Sequence, residues 1–426
     1  MSRLLAHSIK RAANRLYALL LVAAAFVWRT LLFRTTFIAI TGSVGKTTSK
    51  ECLAAILKSW QPSIATAGNG NGRAGIPRTI LRTRPWHRFC VVEIGTDRPG
   101  TMIRSAMLVR PRIAVILRVA RTHSDRFKTL EDTAREKSRL LALLGRRGVA
   151  VLNADDPMVA AMARGRRCRV VLFGSSPDFD LCASEASAEW PSRLRFRVSN
   201  REHSCEVKTQ LVGTHWVTSV LAALAAAQAC GVPLADSVAQ VESVAPFRGR
   251  MQPVLLDNGA VMLRDEYNGS YETTLPAFEV LRNARAKRLI TVLSDCADLK
   301  GKPRARMKRL SQLACESSGM VVFVGSGASH GARHALNRGF APGNVHHFVK
   351  WEDAADFLAA KLEPGDLVLL RGRASDHLSR IYFALRGAVK CHKFTCSLRT
   401  ICDDCSKLGF APSSEDRAAD RFPVVC

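Results

Sequence analysis

One stretch constrains this chain more than any other. It is Ile40-Thr41-Gly42-Ser43-Val44-Gly45-Lys46-Thr47-Thr48, set between a β-branched run, FIAI (37–40), and a helix-forming segment, SKECLAAILKSW (49–60). Strand, glycine turn, GKTT and helix in that order make a phosphate loop. The backbone N–H groups of such a loop converge on phosphate oxygens, and the helix N-terminus adds partial positive charge. Lys46 can neutralise β- and γ-phosphates, and the Thr47 hydroxyl can ligate Mg²⁺. Gly42, Ser43, Val44, Gly45, Lys46, Thr47 and Thr48 are therefore the candidate nucleotide-binding residues. The strict pattern has Gly where Ile40 stands, so this loop is a variant. A glycine turn with an incidental lysine is the plain alternative, and the ordered context speaks against it.

A phosphate loop of this kind sits at the end of a parallel strand, and the flanking sequence supplies more of them. CVVEI (90–94), IAVIL (113–117) and VAVLN (149–153) alternate with segments of helical length, which argues for βαβ units. A mixed stretch over 168–212 could hold antiparallel strands, and 217–230 reads as an alanine-rich helix closed by Gly231 and Pro233. The pattern restarts near Pro246. VMLRDEY, RLITVLSD, MVVFVGSG and DLVLLRGR alternate with helical segments to about Val389. The expected class is α/β, with a P-loop central domain on a parallel sheet (35–245) and a C-terminal Rossmann-like α/β domain (246–390). A membrane-associating segment (1–34) precedes them and a Cys-rich tail (391–426) follows.

The N-terminal segment carries Arg3, Lys10, Arg11 and Arg15, then an uncharged run from Leu16 to Trp28, then Arg29 and Arg34. The run is short for a helix that crosses the hydrocarbon core, which needs about 20 apolar residues. Basic flanks with no acid suit a helix lying on or partly in an anionic membrane surface. The expected location is the cytoplasmic side, on the inner face of the membrane. A buried first helix of the globular domain is the other reading. Overall, 63 Lys plus Arg against 36 Asp plus Glu give a net charge of +27. That surplus is scattered, without a basic run or an aromatic-interleaved stretch, so lipid and nucleotide phosphates rank above nucleic acid as partners.

The 13 cysteines exclude a secreted disulfide framework by their odd number and spacing. Cys391, Cys396, Cys402 and Cys405 stand apart as C-x4-C-x5-C-x2-C. Four thiols at this density suit tetrahedral Zn²⁺, with His392 as a substitute ligand, and a redox or disordered thiol cluster is the alternative.

The loop TGSVGKTT (41–48) resembles that of the Mur ligase superfamily of ATP-dependent peptide-bond-forming ligases, and the resemblance continues in order. ATAGNGNGRAGIP (65–77), VVEIGTDRPG (91–100), THSDRFKTLEDTAREKSRLL (122–141), NADD (153–156), GTHWVTSVLAALAA (213–226), FRGRMQ (247–252) and RDEYNGSYETTLPAFEVL (264–281) are each similar to a family segment. It is closest to the branch that adds D-alanyl-D-alanine in peptidoglycan precursor synthesis. The resemblance implies that Glu93 and His123 hold a second Mg²⁺ and that Lys137 is the position of a carbamylated lysine. It further implies that Asn153 contacts adenine, that Arg250 reaches the phosphates from the second domain, and that Asp265 holds the ribose side. Tyr267 and Asn268 match the D-x-Y-N motif. Departures are Arg118 for Asn, Trp216 for the Asn after His215, Gly72 for an Asn of the asparagine loop, and Arg371 for Lys.

The expected function is ATP-dependent joining of a carboxylate to an amine through an acyl phosphate. The acceptor is a cell-envelope or polymer precursor; the small number of residues before the phosphate-loop strand favours one that is lipid-linked or polymeric. The incoming group is an amino acid or peptide amine. ATP and Mg²⁺ are the implied cofactors, with Zn²⁺ in the tail. A catalytically silent nucleotide-binding scaffold at the membrane is the alternative, and a nucleic-acid-binding P-loop ATPase is a third reading that predicts steep salt dependence.

Overall fold

The computed structural model describes residues 2–120, 126–267, 269–296, 301–393, 396 and 402–412. The chain divides into two compact units. The first comprises Met1–Ala186, Arg195–Thr209 and His215–Val244; the second comprises Ser187–Leu194, Gln210–Thr214 and Ala245–Cys426.

The first unit runs α1 (Ser2–Leu31), β1 (Thr36–Thr41), α2 (Lys46–Trp60), β2 (Ser63–Ala65), α3 (Gly75–Arg82), β3 (Phe89–Glu93), α4 (Thr101–Val109) and β4 (Ile113–Ile116). It continues with α5 (Leu130–Ser138), β5 (Val149–Asn153), the short α6 (Pro157–Ala160), β6 (Arg169–Gly174), β7 (Leu181–Ser187), β8 (Arg195–Ser199), β9 (Ser204–Lys208), α7 (Val217–Ala229) and α8 (Leu234–Glu242). Its sheet has the order β2-β3-β1-β4-β5-β6-β7-β8-β9. Pairing is parallel from β2 to β7. β1 and β4 are buried along nearly their whole length, as expected of parallel strands covered on both faces. The mixed stretch resolves into β6 and β7, which continue the parallel run, and an antiparallel pair, β8 with β9. In β8, Arg195 and Arg197 face out while Phe196 and Val198 face in, the alternation of a strand wetted on one side.

The end of helix α1 packs into the first unit, as the reading of a buried first helix expects. Ala25 and Leu32 are buried in the cluster formed by Phe37, Ala39, Ile76 and Ile80. The Trp28 indole donates to the Thr83 carbonyl at 2.8 Å, and Arg29 donates to the carbonyls of Val109 (2.7 Å) and Arg110 (2.9 Å). Burial, together with Arg110, lowers the Arg29 pKa to about 10, and its guanidinium lies 4.0 Å over the Phe37 ring. Leu16, Leu19, Leu20, Val27, Leu31 and Phe33 are exposed. Among the described residues no helix is long and apolar enough to cross a membrane.

The second unit contains β10 (Gln252–Leu255), β11 (Val261–Asp265), α9 (Tyr271–Arg282), β12 (Arg288–Leu293), α10 (Pro303–Ser317), β13 (Met320–Val324), α11 (Ser329–Asn337), β14 (Val345–Phe348), α12 (Trp351–Lys361), β15 (Asp366–Arg371) and α13 (Ser379–Ala384). Strand order is β10-β11-β15-β12-β13-β14, parallel except for β10. Chain order reverses between β15 and β12, which places a crevice at the carboxyl ends of these strands.

The described part of the tail packs on this second unit. Ala411–Pro412 pairs antiparallel with Gly387–Ala388. The guanidinium of Arg264 donates to Asp403 in a bidentate pair (2.8 and 2.9 Å) and to Glu266 at 2.6 Å; Arg264 and Glu266 are buried, and the Asp403 side chain is only 8% exposed. Burial opposes the Asp403 charge, but Arg264 outweighs it and holds the carboxyl below its usual pKa. Among the described residues no group of three or more His, Cys, Asp or Glu is placed to hold a metal, and Cys391, Cys396, Cys402 and Cys405 are free thiols. Cys402 is buried with its sulfur 3.4 Å from His377 Nδ1, and burial pushes its pKa up to about 11.

Candidate active site

The phosphate loop joins β1 to α2. Gly45 has φ +83°, and a Cβ there would lie 2.6 Å from the Ser219 hydroxyl, so both backbone and space demand glycine. A Cβ on Gly42 would meet the Leu117 side chain at 2.9 Å. The loop is stitched to the strand-end segment beyond β4. Ser43 N donates to Arg118 O (2.7 Å), and the Ser43 hydroxyl accepts from Ala120 N (2.9 Å). The Lys46 ammonium folds back on its own loop, donating to the carbonyls of Gly42 (2.8 Å) and Ser43 (3.1 Å), while Thr47 and Thr48 are buried in the first turn.

Glu93 ends β3, immediately beside β1. It is fully buried, and its Oε1 accepts from the Asn71 amide at 2.7 Å. Its Oε2 is buried with no hydrogen-bond partner among the described residues. An orphaned carboxylate oxygen is costly in a protein interior, and a divalent cation satisfies it. Glu93 thus fits a divalent cation. His123 lies outside the described residues.

Lys137 reads in sequence as a solvated helix lysine, yet on α5 it is only 2% exposed. Burial, reinforced by the Lys46 charge and opposed by Glu136, lowers its pKa to about 7. Glu136 is occupied elsewhere, accepting from the Gly100 and Met102 amides at the start of α4 (2.9 and 2.8 Å) and from Arg139. Asn153 ends β5, buried, with its Oδ1 accepting from Asp155 N at 3.1 Å.

Two expected residues belong to the second unit. The Arg250 guanidinium lies 5.0 Å from the Tyr267 ring centroid and 5.6 Å from that of Phe247. Asn268 lies outside the described residues. Asp265 is engaged within its own unit: Met251 N donates to it at 3.1 Å, and Arg371 pairs with its other oxygen. Burial raises its pKa to about 6, an effect that Arg371 only partly offsets. Arg371, where the resembled family has Lys, also donates to Ser270 O, Thr273 and Thr274 at the start of α9. The guanidinium fork serves four residues where an ammonium would serve fewer.

Sequence reasoning missed two features. One is a cavity of about 390 Å³ at the carboxyl ends of β12, β13 and β15, lined among others by Ser294, Asp295, Ser326, Arg373 and Asp376. Arg373 pairs with Asp295 (3.2 Å) and Asp376 (2.8 Å). The polar residues just after three strands are its signal in the sequence. The other is Lys50, fully buried on α2. Its spacing of four from Lys46 and three from the buried Leu53 places it on the inner face of the helix.

An ATP-using enzyme of the P-loop class is what this arrangement defines. The Mur ligase middle domain family model matches residues 40–227, and that of the Mur ligase glutamate ligase domain matches residues 249–374. The chain belongs to the Mur ligase family and is an ATP-dependent ligase that forms a C–N bond. It is 30% identical over 370 residues to UDP-N-acetylmuramoyl-tripeptide–D-alanyl-D-alanine ligase of Mycobacterium tuberculosis, covering 82% of this chain and 72% of that protein. Among solved structures, MurF from Acinetobacter baumannii superposes with a TM-score of 0.79 at 26% identity, covering 86% of this chain and 80% of that one. MurF ligase from Thermotoga maritima, solved in complex with ADP, shares the fold with a TM-score of 0.75 at 21% identity, covering 86% and 83%.

Proposed function

We propose that this ligase joins the carboxylate of a peptidoglycan or related cell-envelope precursor to the amine of an amino acid or dipeptide. The observations that carry the reading are Glu93, beside the phosphate-loop strand with an oxygen unpartnered among the described residues, and Lys137, buried with a pKa lowered to about 7. The relatives' own substrates, a UDP-muramoyl tripeptide and D-alanyl-D-alanine, indicate the chemical class.

The reaction proceeds in two displacements. The acceptor carboxylate attacks the γ-phosphorus of ATP, ADP leaves, and an acyl phosphate forms. The incoming amine then attacks the acyl carbon, phosphate leaves, and the ammonium proton passes to a base or solvent. Neither step needs a protein nucleophile, so the chain contributes charge and position. Lys46 and the loop amides neutralise the β- and γ-phosphates as charge moves onto them. Mg²⁺, when bound, screens the triphosphate, with the Thr47 hydroxyl and Glu93 carboxylate as its holders. Lys137, neutral in good part at pH 7, can add CO₂ at Nζ and lose a proton, which turns the amine into a carbamate carrying a carboxylate. Asn153 is assigned to adenine. In the second unit, the cavity with Arg373 between Asp295 and Asp376 presents both signs of charge, as a zwitterionic amino acid or dipeptide requires.

We further place the protein on an anionic membrane surface. Support comes from the exposed apolar side chains Leu16, Leu19, Leu20, Val27 and Phe33 together with six basic and no acidic residues in the first 34.

The test is ADP release by the purified full-length protein with Mg²⁺, with and without a muramoyl-peptide or lipid-linked envelope precursor and mixed amino acids and dipeptides. Release that requires both substrates and disappears in Lys46→Ala is expected. Nucleotide binding without turnover in any mixture would instead identify a silent scaffold.

A further inference from the structure

Lys50 is fully buried on α2, and nothing in the reaction above uses it. A helical lysine ordinarily extends its ammonium to water, because a buried cation is costly. Here the ammonium turns inward and donates to two main-chain carbonyls, Thr66 O at 2.8 Å and Gly68 O at 2.7 Å, with the Glu51 carboxylate at 2.6 Å completing its partners. Both carbonyls belong to the loop that leaves β2.

That loop holds Glu93 from two sides. The Thr66 hydroxyl accepts from Glu93 N at 3.1 Å, and Asn71 donates its side-chain amide to Glu93 Oε1 at 2.7 Å. The Asn71 carbonyl in turn accepts from Gly95 N at 3.0 Å. The loop is tightly folded on itself: a Cβ on Gly75 would fall 1.9 Å from the Gly70 carbonyl oxygen. A shift at Thr66 or Gly68 is therefore passed to Asn71 instead of being absorbed. Lys46 and Lys50 lie one helical turn apart, so the helix that begins in the phosphate loop also carries the clamp on the loop that orients Glu93.

We propose that Lys50 is a positioning residue: by clamping Thr66 and Gly68 it fixes Asn71 against Glu93 Oε1 and leaves Oε2 turned toward the divalent cation of the nucleotide site. This rests on the reading of Glu93 as a metal holder. Removing the clamp frees the carboxylate to rotate, and loss of one supporting hydrogen bond of this kind typically lowers metal affinity by 10- to 100-fold.

The test uses Mn²⁺ as the probe, titrated into full-length protein with saturating ADP and followed by the electron paramagnetic resonance signal of free Mn²⁺, against ADP alone. Lys50→Gln, Lys50→Arg, Asn71→Ala and the double variant Lys50→Gln with Asn71→Ala are compared, with thermal melting as the check on folding. Lys50→Gln and Asn71→Ala should each weaken Mn²⁺ binding at least about 10-fold, and the double variant no more than the weaker-binding single, since both act through one loop. Lys50→Arg, which keeps two donors, should restore most of the affinity, and metal-free ADP binding should stay within about twofold throughout. Folded Lys50→Gln with unchanged Mn²⁺ affinity, or single shifts that multiply in the double variant, would overturn the proposal. If Lys50→Gln fails to fold, a normal affinity in Asn71→Ala overturns it equally. Wild-type protein that binds ADP yet takes up no Mn²⁺ beyond that of ADP alone would remove the metal reading of Glu93, and the clamp's purpose with it.

Discussion

Replacing Lys137 by Met should make the protein more stable and inactive at once. The side chain is almost wholly buried, and its pKa falls from the usual 10.5 to about 7, chiefly through loss of solvent. At ~1.4 kcal/mol per pH unit, that gap costs folding about 5 kcal/mol wherever the amine is protonated in both states, which is below pH 7. Between pH 7 and 10.5 the unfolded chain binds the proton and the folded chain releases it, so the stability of the parent rises with pH through this window. Above 10.5 the penalty is gone. Met fills a similar volume without charge, so Lys137→Met should exceed the parent by several kcal/mol at pH 6 and match it near pH 10. Urea unfolding in bicarbonate-free buffer across pH 6 to 10 reads this difference, and ADP release reads the loss of activity. Adding bicarbonate should alter the parent alone. A parent as stable as the variant at pH 6, or a difference that does not change with pH, would refute the account of Lys137.

Three shorter predictions concern other parts of the chain. Gly45→Ala should cost about 1–2 kcal/mol for its left-handed backbone and abolish nucleotide binding, and adding Ser219→Ala should relieve the 2.6 Å clash but not the strain, as differential scanning with ADP titration would record. Asp403→Asn leaves Arg264 paired with Glu266 alone and should lower stability by about 2–4 kcal/mol, read as a lower urea midpoint. Leu20→Asp with Val27→Asp should abolish co-flotation with vesicles containing phosphatidylglycerol while leaving the melting temperature within about 2 °C, since both side chains are exposed.

The parts legible in the sequence were those whose pattern is local. β1, β3, β4 and β5 lie where the β-branched runs place them, because strands buried on both faces have no choice but continuous apolar sequence. The phosphate loop was legible because glycine, lysine and threonine occur there in an order set by backbone geometry. Partnerships across the chain were not. Lys50 and Lys137 look like ordinary helix lysines until α2 and α5 are packed. The resemblance assigns Asp265 to the ribose side, and no local pattern announces that the pairing of β11 with β15 also sets it opposite Arg371. Nor does any local pattern among the tail thiols announce that their neighbour Asp403 fastens to Arg264.

Helix α1 has a practical consequence for anyone handling this protein. Its final turns are bolted in by Trp28 and Arg29, with Ala25 and Leu32 inside the core, while its outer side carries the apolar residues that favour aggregation in water. Cutting it away to gain solubility would open the interior beside Phe37 and leave the Thr83 and Val109 carbonyls without their donors. Solubility has to be sought by changing the outward residues one at a time, or by supplying a detergent or lipid surface, and never by shortening the chain.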